Sequence, residues 1–213
     1  MISQPKWNYV FVAVPKTGTT SVHHRLVRLG TAKRRDPGSP PHLNIQEYRQ
    51  ILGDALDSRF KFAFVRNPWS RLVSDFTMRT RGIYPSLPRD WNGDVVEFKK
   101  WAHEQSKLSQ PDSRAIWTSN QLDRLLDADG NLDVDFIGRF ENIRADFRTV
   151  LEKINNIHPL PDEKHWTLPL RNASNNSKHY SEYYDDATSE LVREHFQKDI
   201  DYFGYTYEKG PGS

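Results

Sequence analysis

The chain alternates short, wholly apolar runs with longer stretches in which apolar positions recur every three or four residues. Tyr9-Val10-Phe11-Val12-Ala13-Val14 is the first run, closed by Pro15. Its length, its β-branched content and its lack of polar alternation predict a strand buried on both faces of a parallel sheet. Pro15 to Gly18 reads as a turn, after which Val22, Leu26 and Leu29 recur at helical spacing up to a stop at Gly30. Thr31 to Pro41 is basic and rich in Pro and Gly, a loop pattern, and Ile45 to Leu56 has a helical one. Lys61 to Val65 predicts a second buried strand. Asn67 then suits an N-cap and Pro68 the first helical position, where its missing N–H costs nothing. Trp69, Leu72, Val73 and Phe76 make that helix's buried stripe.

Further along, residues 81–93 hold Gly, Pro and Trp without a period and read as a surface loop. Val95 to Glu104 and Asn120 to Leu126 are expected as helices, and Asp129-Gly130-Asn131 as a turn into a strand over Val134 to Ile137. A helix from Glu141 carries Ile143, Phe147, Val150, Leu151 and Ile154; residues 155–180 look irregular. A last helix with Val192, Phe196, Ile200 and Phe203 ends at Gly204. Strands alternating with helices predict an α/β architecture around a mainly parallel sheet.

The length of 213 residues suits a single domain over 1–213, with a core from about residue 7 to 207 and a flexible tail over 208–213. An aromatic share of 12% argues against disorder. The longest apolar run falls far short of the ~20 residues that a membrane span requires, and no secretory signal pattern precedes it. A soluble, cytoplasmic protein is therefore expected. A formal net charge of +2 gives no reason to expect a nucleic-acid partner. With no cysteine, disulfides, zinc-thiolate sites and thiol catalysis all drop out.

The chemistry concentrates in two places. In the first, a strand runs into Pro15-Lys16-Thr17-Gly18-Thr19-Thr20-Ser21 and then a helix. Unsatisfied N–H groups at a helix start, with the helix dipole, attract anions. Gly18 lets the backbone turn closely round a phosphate, Thr19, Thr20 and Ser21 add hydroxyls, and Lys16 adds charge. The same pattern also suits a Thr-rich helix cap beside a solvated lysine. A triphosphatase or kinase loop would place Gly-Lys-Ser/Thr at its end and an acid for magnesium on a neighbouring strand. No such triplet occurs here, and the second strand runs into Val65-Arg66. In the second place, Arg66 stands at a strand's carboxyl end, where ligands sit in open α/β sheets, and Ser74 follows about two helical turns later. Arg71 is expected on the surface or in a salt bridge.

Together these motifs resemble the sulfotransferases that use 3′-phosphoadenylyl sulfate (PAPS). Pro15 to Ser21 is similar to their 5′-phosphosulfate loop, and Arg66 with Ser74 to their 3′-phosphate pair. Phe64-Val65-Arg66-Asn67-Pro68-Trp69, Phe136 to Asn142 and Tyr180 to Tyr207 resemble the carbohydrate-type branch, so the likeness runs from residue 9 to about 207. The resemblance implies a P-loop-NTPase-like three-layer α/β fold, with a central mainly parallel sheet flanked by helices. It also implies sulfonate transfer from PAPS to a carbohydrate or small-metabolite hydroxyl, leaving adenosine 3′,5′-bisphosphate, with no metal required. Lys16 would stabilise the leaving phosphate. Thr17, Gly18, Thr19, Thr20 and Ser21 would hold it, and Arg66, Ser74 and Lys178 would hold the 3′-phosphate side. Arg171, Asn175 and Ser177 lie in the same late segment as Lys178, which is expected to close over the 3′-phosphate or the adenine side of the cofactor; an ordinary polar loop is the alternative. His42, between the two motifs, is the expected base; a loop or capping histidine is the alternative. His23 and His24 are expected on the first helix's surface, and His103, His158 and His195 in surface or packing roles. His165 and His179 are expected near the site. A P-loop kinase and a noncatalytic nucleotide- or glycan-binding module are the competing readings.

Overall fold

The structure, a computed structural model, describes residues 1–34, 42–80, 94–107, 116–169 and 178–210. The chain forms two compact units. One comprises Met1–Val65 with Asp123–Arg171, and the other Arg66–Leu122 with Asn172–Ser213. The loop expected over 81–93 and most of the basic loop, residues 35–41, lie outside the described residues.

The first unit holds a three-stranded sheet in the order β1-β2-β3: β1 (Tyr9–Val12), β2 (Phe60–Val65) and β3 (Phe136–Arg139). All pairs are parallel, with Val12 opposite Ala63 and Val65 opposite Arg139. The α/β class and parallel sheet expected from the apolar runs are therefore present. Parallel strands buried on both faces need apolar side chains throughout. Accordingly β1 is buried at all four positions. The rings of Phe11 and Phe62 stack at 5.0 Å, and Val22 and Leu26 of α1 (Thr19–Arg28) join them, with Phe147 and Val150 of α5 (Ile143–Ile157), in one core. The helix α2 (Ile45–Leu52) also belongs to this unit.

Element ends differ from expectation where local hydrogen bonds intervene. Strand β1 stops at Val12 because the Val14 N–H turns back to the Val12 carbonyl (3.1 Å). The third strand begins at Phe136, two residues later than the apolar run suggested. The Asp135 carboxylate accepts the Lys61 N–H (2.6 Å) and the Asp135 N–H donates to the Lys61 carbonyl (2.8 Å), which leaves Val134 buried ahead of the ladder. Helix α2 yields at Gly53 to a 3-10 turn over Gly53–Leu56, and α5 runs through Ile157, into a stretch that read as irregular.

The second unit is helical: α3 (Pro68–Met78), α4 (Val95–Gln105), α6 (Asp186–His195) and α7 (Gln197–Phe203). The Asn67 side chain caps α3 by accepting from the N–H groups of Trp69 and Ser70, as its sequence position implied. Trp69, Leu72 and Phe76 pack with Phe98, Trp101 and Phe196 in this unit's core. The Trp69 indole donates to the Ser189 carbonyl (2.9 Å) and the Tyr184 hydroxyl to the Trp69 carbonyl (2.9 Å). The single helix expected at the C-terminus is two, broken at Phe196 (φ −109°, ψ 24°). In place of a helix over Asn120 to Leu126 there is only a 3-10 turn, Leu122–Arg124. The N–H groups of Gln121 and Leu122, which a helix start would point along its axis, are held by the Asp199 carboxylate at 2.8 and 2.9 Å. Among the described residues no helix is long and apolar enough to cross a membrane.

Candidate functional site

In the first unit β1 delivers the chain to a loop wound by two left-handed residues, Lys16 (φ 69°) and Gly18 (φ 80°). Gly18 is the N-cap of α1, and its carbonyl accepts from the N–H groups of Ser21 and Val22 at 3.0 and 3.2 Å. A Cβ at Gly18 would lie 2.5 Å from Cδ1 of Ile143 and 3.2 Å from the Phe140 ring. Glycine is thus required twice over, by the backbone angle and by the apolar floor beneath it. Gly18→Ala is expected to destabilise the protein by about 2–4 kcal/mol, left-handed strain plus overpacking. Urea denaturation measures this, and a loss below about 0.5 kcal/mol, the range of neutral surface changes, would refute it.

The buried Thr17 hydroxyl donates to the Val14 carbonyl (2.9 Å), so it braces the turn from inside. Thr19 is half-buried, Thr20 exposed and Ser21 buried at the first turn of α1. Lys16 is half-buried. A left-handed lysine costs of the order of 1–2 kcal/mol, and such strain gathers at functional sites. A glycine at a left-handed turn, hydroxyls at a helix start and a lysine fit a phosphate group.

His42 joins this loop. Its Nδ1 lies 2.8 Å from the carbonyl oxygen of Ala13, the residue after β1. A carbonyl only accepts, so the neutral ring carries its proton on Nδ1 and its lone pair on Nε2. The His42 carbonyl accepts from the Arg124 guanidinium. Arg124 is 6% exposed, and burial pulls it below the usual arginine range while Glu47 opposes that shift. Capping of α2 falls to Asn44, whose side chain accepts the Glu47 N–H (2.8 Å) while the Glu47 carboxylate accepts the Asn44 N–H (2.7 Å). The capping role weighed for His42 is therefore taken by another residue.

Arg66, Ser74 and Lys178 belong to the second unit. Arg66 is the residue after β2, and its Nε donates to the Ser70 hydroxyl (3.0 Å). Ser70 and Ser74, four apart on α3, share one helix face. Lys178 is exposed; Arg171, Asn175 and Ser177 lie outside the described residues. Of the two roles expected for Arg71, its burial excludes the surface one. It is 1% exposed, lies 6.0 Å from the Phe196 ring centroid, and its charge opposes the upward shift that burial imposes on the Asp199 carboxyl.

The other histidines divide as follows. His158 packs edge-on to Trp7 (5.6 Å) and His195 against Trp117 (5.0 Å). His179 caps a 3-10 turn, its Nδ1 accepting the Ser181 N–H (3.3 Å), and His165 is exposed in another such turn. His23 and His24 ride α1, and His103 is exposed in the last turn of α4. Three residues escaped the sequence reading. Ser70 was discoverable from its spacing of four from Arg66. Arg124 and Gln121 act on distant backbone and leave no local signature. Among the described residues no group of three or more His, Cys, Asp or Glu is placed to hold a metal.

A family model described as the sulfotransferase family (Sulfotransfer_2) matches residues 1–206. No curated protein matches the chain. The match spans most of both units and both sequence motifs, the loop after β1 and the arginine after β2. The chain belongs to the sulfotransferase family.

Proposed function

We propose that this sulfotransferase takes its sulfonate group from PAPS and passes it to a hydroxyl of a carbohydrate or a small metabolite. One observation carries this reading beyond the family: the His42 ring is tied by Nδ1 to the Ala13 carbonyl, directly ahead of the phosphate-type loop. That bond fixes the neutral tautomer with its basic lone pair on Nε2, the nitrogen that would receive the hydroxyl's proton. PAPS, when bound, supplies an activated sulfonate, whose S–O bond to the 5′-phosphate breaks as the acceptor oxygen bonds to sulfur.

His42 takes the acceptor's proton on Nε2 as that bond forms, and Nδ1–H donating to Ala13 steadies the imidazolium that results. Lys16 meets the negative charge that grows on the departing phosphate oxygen. The α1 N-terminus from Gly18 to Ser21 holds the 5′-phosphate. Thr17 supports the turn from below through its bond to Val14. Arg66, with Ser74 and the neighbouring Ser70, holds the 3′-phosphate, and Lys178 adds charge on that side. The branch likeness of the Arg66 segment favours a carbohydrate acceptor.

Incubation with labelled PAPS across a panel of glycans and small alcohols tests the reading; transfer to at least one hydroxyl is expected. Adenosine 3′,5′-bisphosphate binding without transfer to any acceptor would favour a noncatalytic nucleotide-binding module. Magnesium-dependent turnover of ATP would favour a kinase. Arg66→Ala is expected to weaken adenosine 3′,5′-bisphosphate binding by ~1.5–3 kcal/mol, one charged hydrogen bond. Unchanged affinity by calorimetry would remove Arg66 from the 3′-phosphate.

A further inference from the structure

The residue after a strand has lost its neighbouring strand as a hydrogen-bond partner, and its backbone must find another. At Arg66 that partner is a side chain. The Arg66 N–H donates to Oε1 of Gln121 (2.9 Å), and Nε2 of Gln121 donates to the Arg66 carbonyl (2.8 Å). A carboxamide presents an acceptor and a donor in one plane, so it stands in for the edge of a strand. Gln121 is itself immobile: it is 0% exposed, and its own N–H is held by the buried Asp199 carboxylate. Asp199 takes the Leu122 N–H as well; burial raises its carboxyl above the usual range, and the Arg71 charge and these backbone donors oppose that shift. A buried chain of hydrogen bonds thus runs from Asp199 through Gln121 to the backbone of Arg66.

We propose that Gln121 is a positioning residue for nucleotide binding, fixing the Arg66 backbone so that its guanidinium is aimed at the ligand's 3′-phosphate. The proposal rests on the sulfotransferase reading above, in which Arg66 takes that phosphate. With both polar groups of Arg66 clamped, the direction of its Cα–Cβ bond is set, and the Nε contact to Ser70 (3.0 Å) then orients the guanidinium. Loosening the clamp lets the charge swing away, and misplacement by a fraction of an ångström weakens a charged contact steeply.

The test uses the full chain and two ligands, adenosine 3′,5′-bisphosphate and adenosine 5′-monophosphate, which lacks the 3′-phosphate. Gln121→Met keeps the volume and loses both hydrogen bonds. Should it fail to fold, Gln121→Glu keeps shape and acceptor but sets a carboxylate against the Arg66 carbonyl. Either variant, its fold checked by circular dichroism and melting, is expected to lose about tenfold in affinity for the bisphosphate. Affinity for the monophosphate should change less than about twofold, and in an Arg66→Ala background the substitution should add less than about twofold. Equal losses for both ligands, or an undiminished loss in the Arg66→Ala background, would make Gln121 only a structural tie and overturn the proposal while leaving the reading intact. A wild-type protein that binds the two nucleotides equally would overturn the 3′-phosphate assignment and the proposal with it.

Discussion

Replacing His42 with alanine should lower kcat by ~10²–10⁴-fold, the usual contribution of a positioned base, with little change in KM for PAPS. The fold should survive, because α2 is capped by Asn44 and Glu47 and β1 is held by its ladder to β2. The Nδ1 contact to the Ala13 carbonyl is lost with the ring. Ala13 is only 8% exposed, so leaving its carbonyl without that donor is expected to cost about 1–3 kcal/mol of stability. His42→Gln is a sharper probe. Its amide can still donate to Ala13 but has no basic nitrogen, so stability should recover while turnover stays low. Steady-state kinetics together with thermal melts separate the two effects. A His42→Gln enzyme turning over within about threefold of wild type would move the base elsewhere.

Lys16→Ala should lower kcat by ~10²–10³-fold, the range for one donor to a developing oxyanion. Alanine inherits the left-handed backbone at φ 69°, so this variant should be no more stable than the wild type. Lys16→Gly should be equally inactive yet more stable by about 1 kcal/mol, since glycine adopts that conformation without strain. Stability and activity then move in opposite directions at one position, as expected where strain is kept for function. A glycine variant that is less stable than the alanine one would show that the loop does not hold Lys16 in this geometry.

The apolar runs made the three strands readable, and the Asn67-Pro68 pair marked the start of α3, because burial on both faces and helix capping are written locally in the chain. What could not be read locally were the ends. Strand β3 starts at Phe136 because Asp135 is spent on Lys61, and Phe196 divides α6 from α7 with no Gly or Pro to announce it. The expected helix near residue 120 gave way to tertiary bonding by Asp199, nearly eighty residues on. The site shows the same division. Lys16 to Ser21, Arg66 and Ser74 stand out as sequence motifs, and His42 through its place between them. Arg124, which holds the His42 carbonyl, is an arginine in an unremarkable segment until the fold buries it. For Arg71 a surface place and a salt bridge stay equally open in the sequence, because helical spacing alone does not reveal an acid as far along as Asp199.

The floor beneath Gly18 has an implication for how such a chain tolerates change. Ile143 and Phe140, more than a hundred residues downstream, fill the space that any larger residue at position 18 would need. Trimming Ile143 to valine or alanine would open that space but leave the backbone angle untouched, so a second-site suppressor of Gly18→Ala at this position can restore only the steric half of the defect. Bulk at residues 140 and 143 and the curvature of the turn are therefore a single inherited unit, and a graft of the loop onto another scaffold must carry its floor with it.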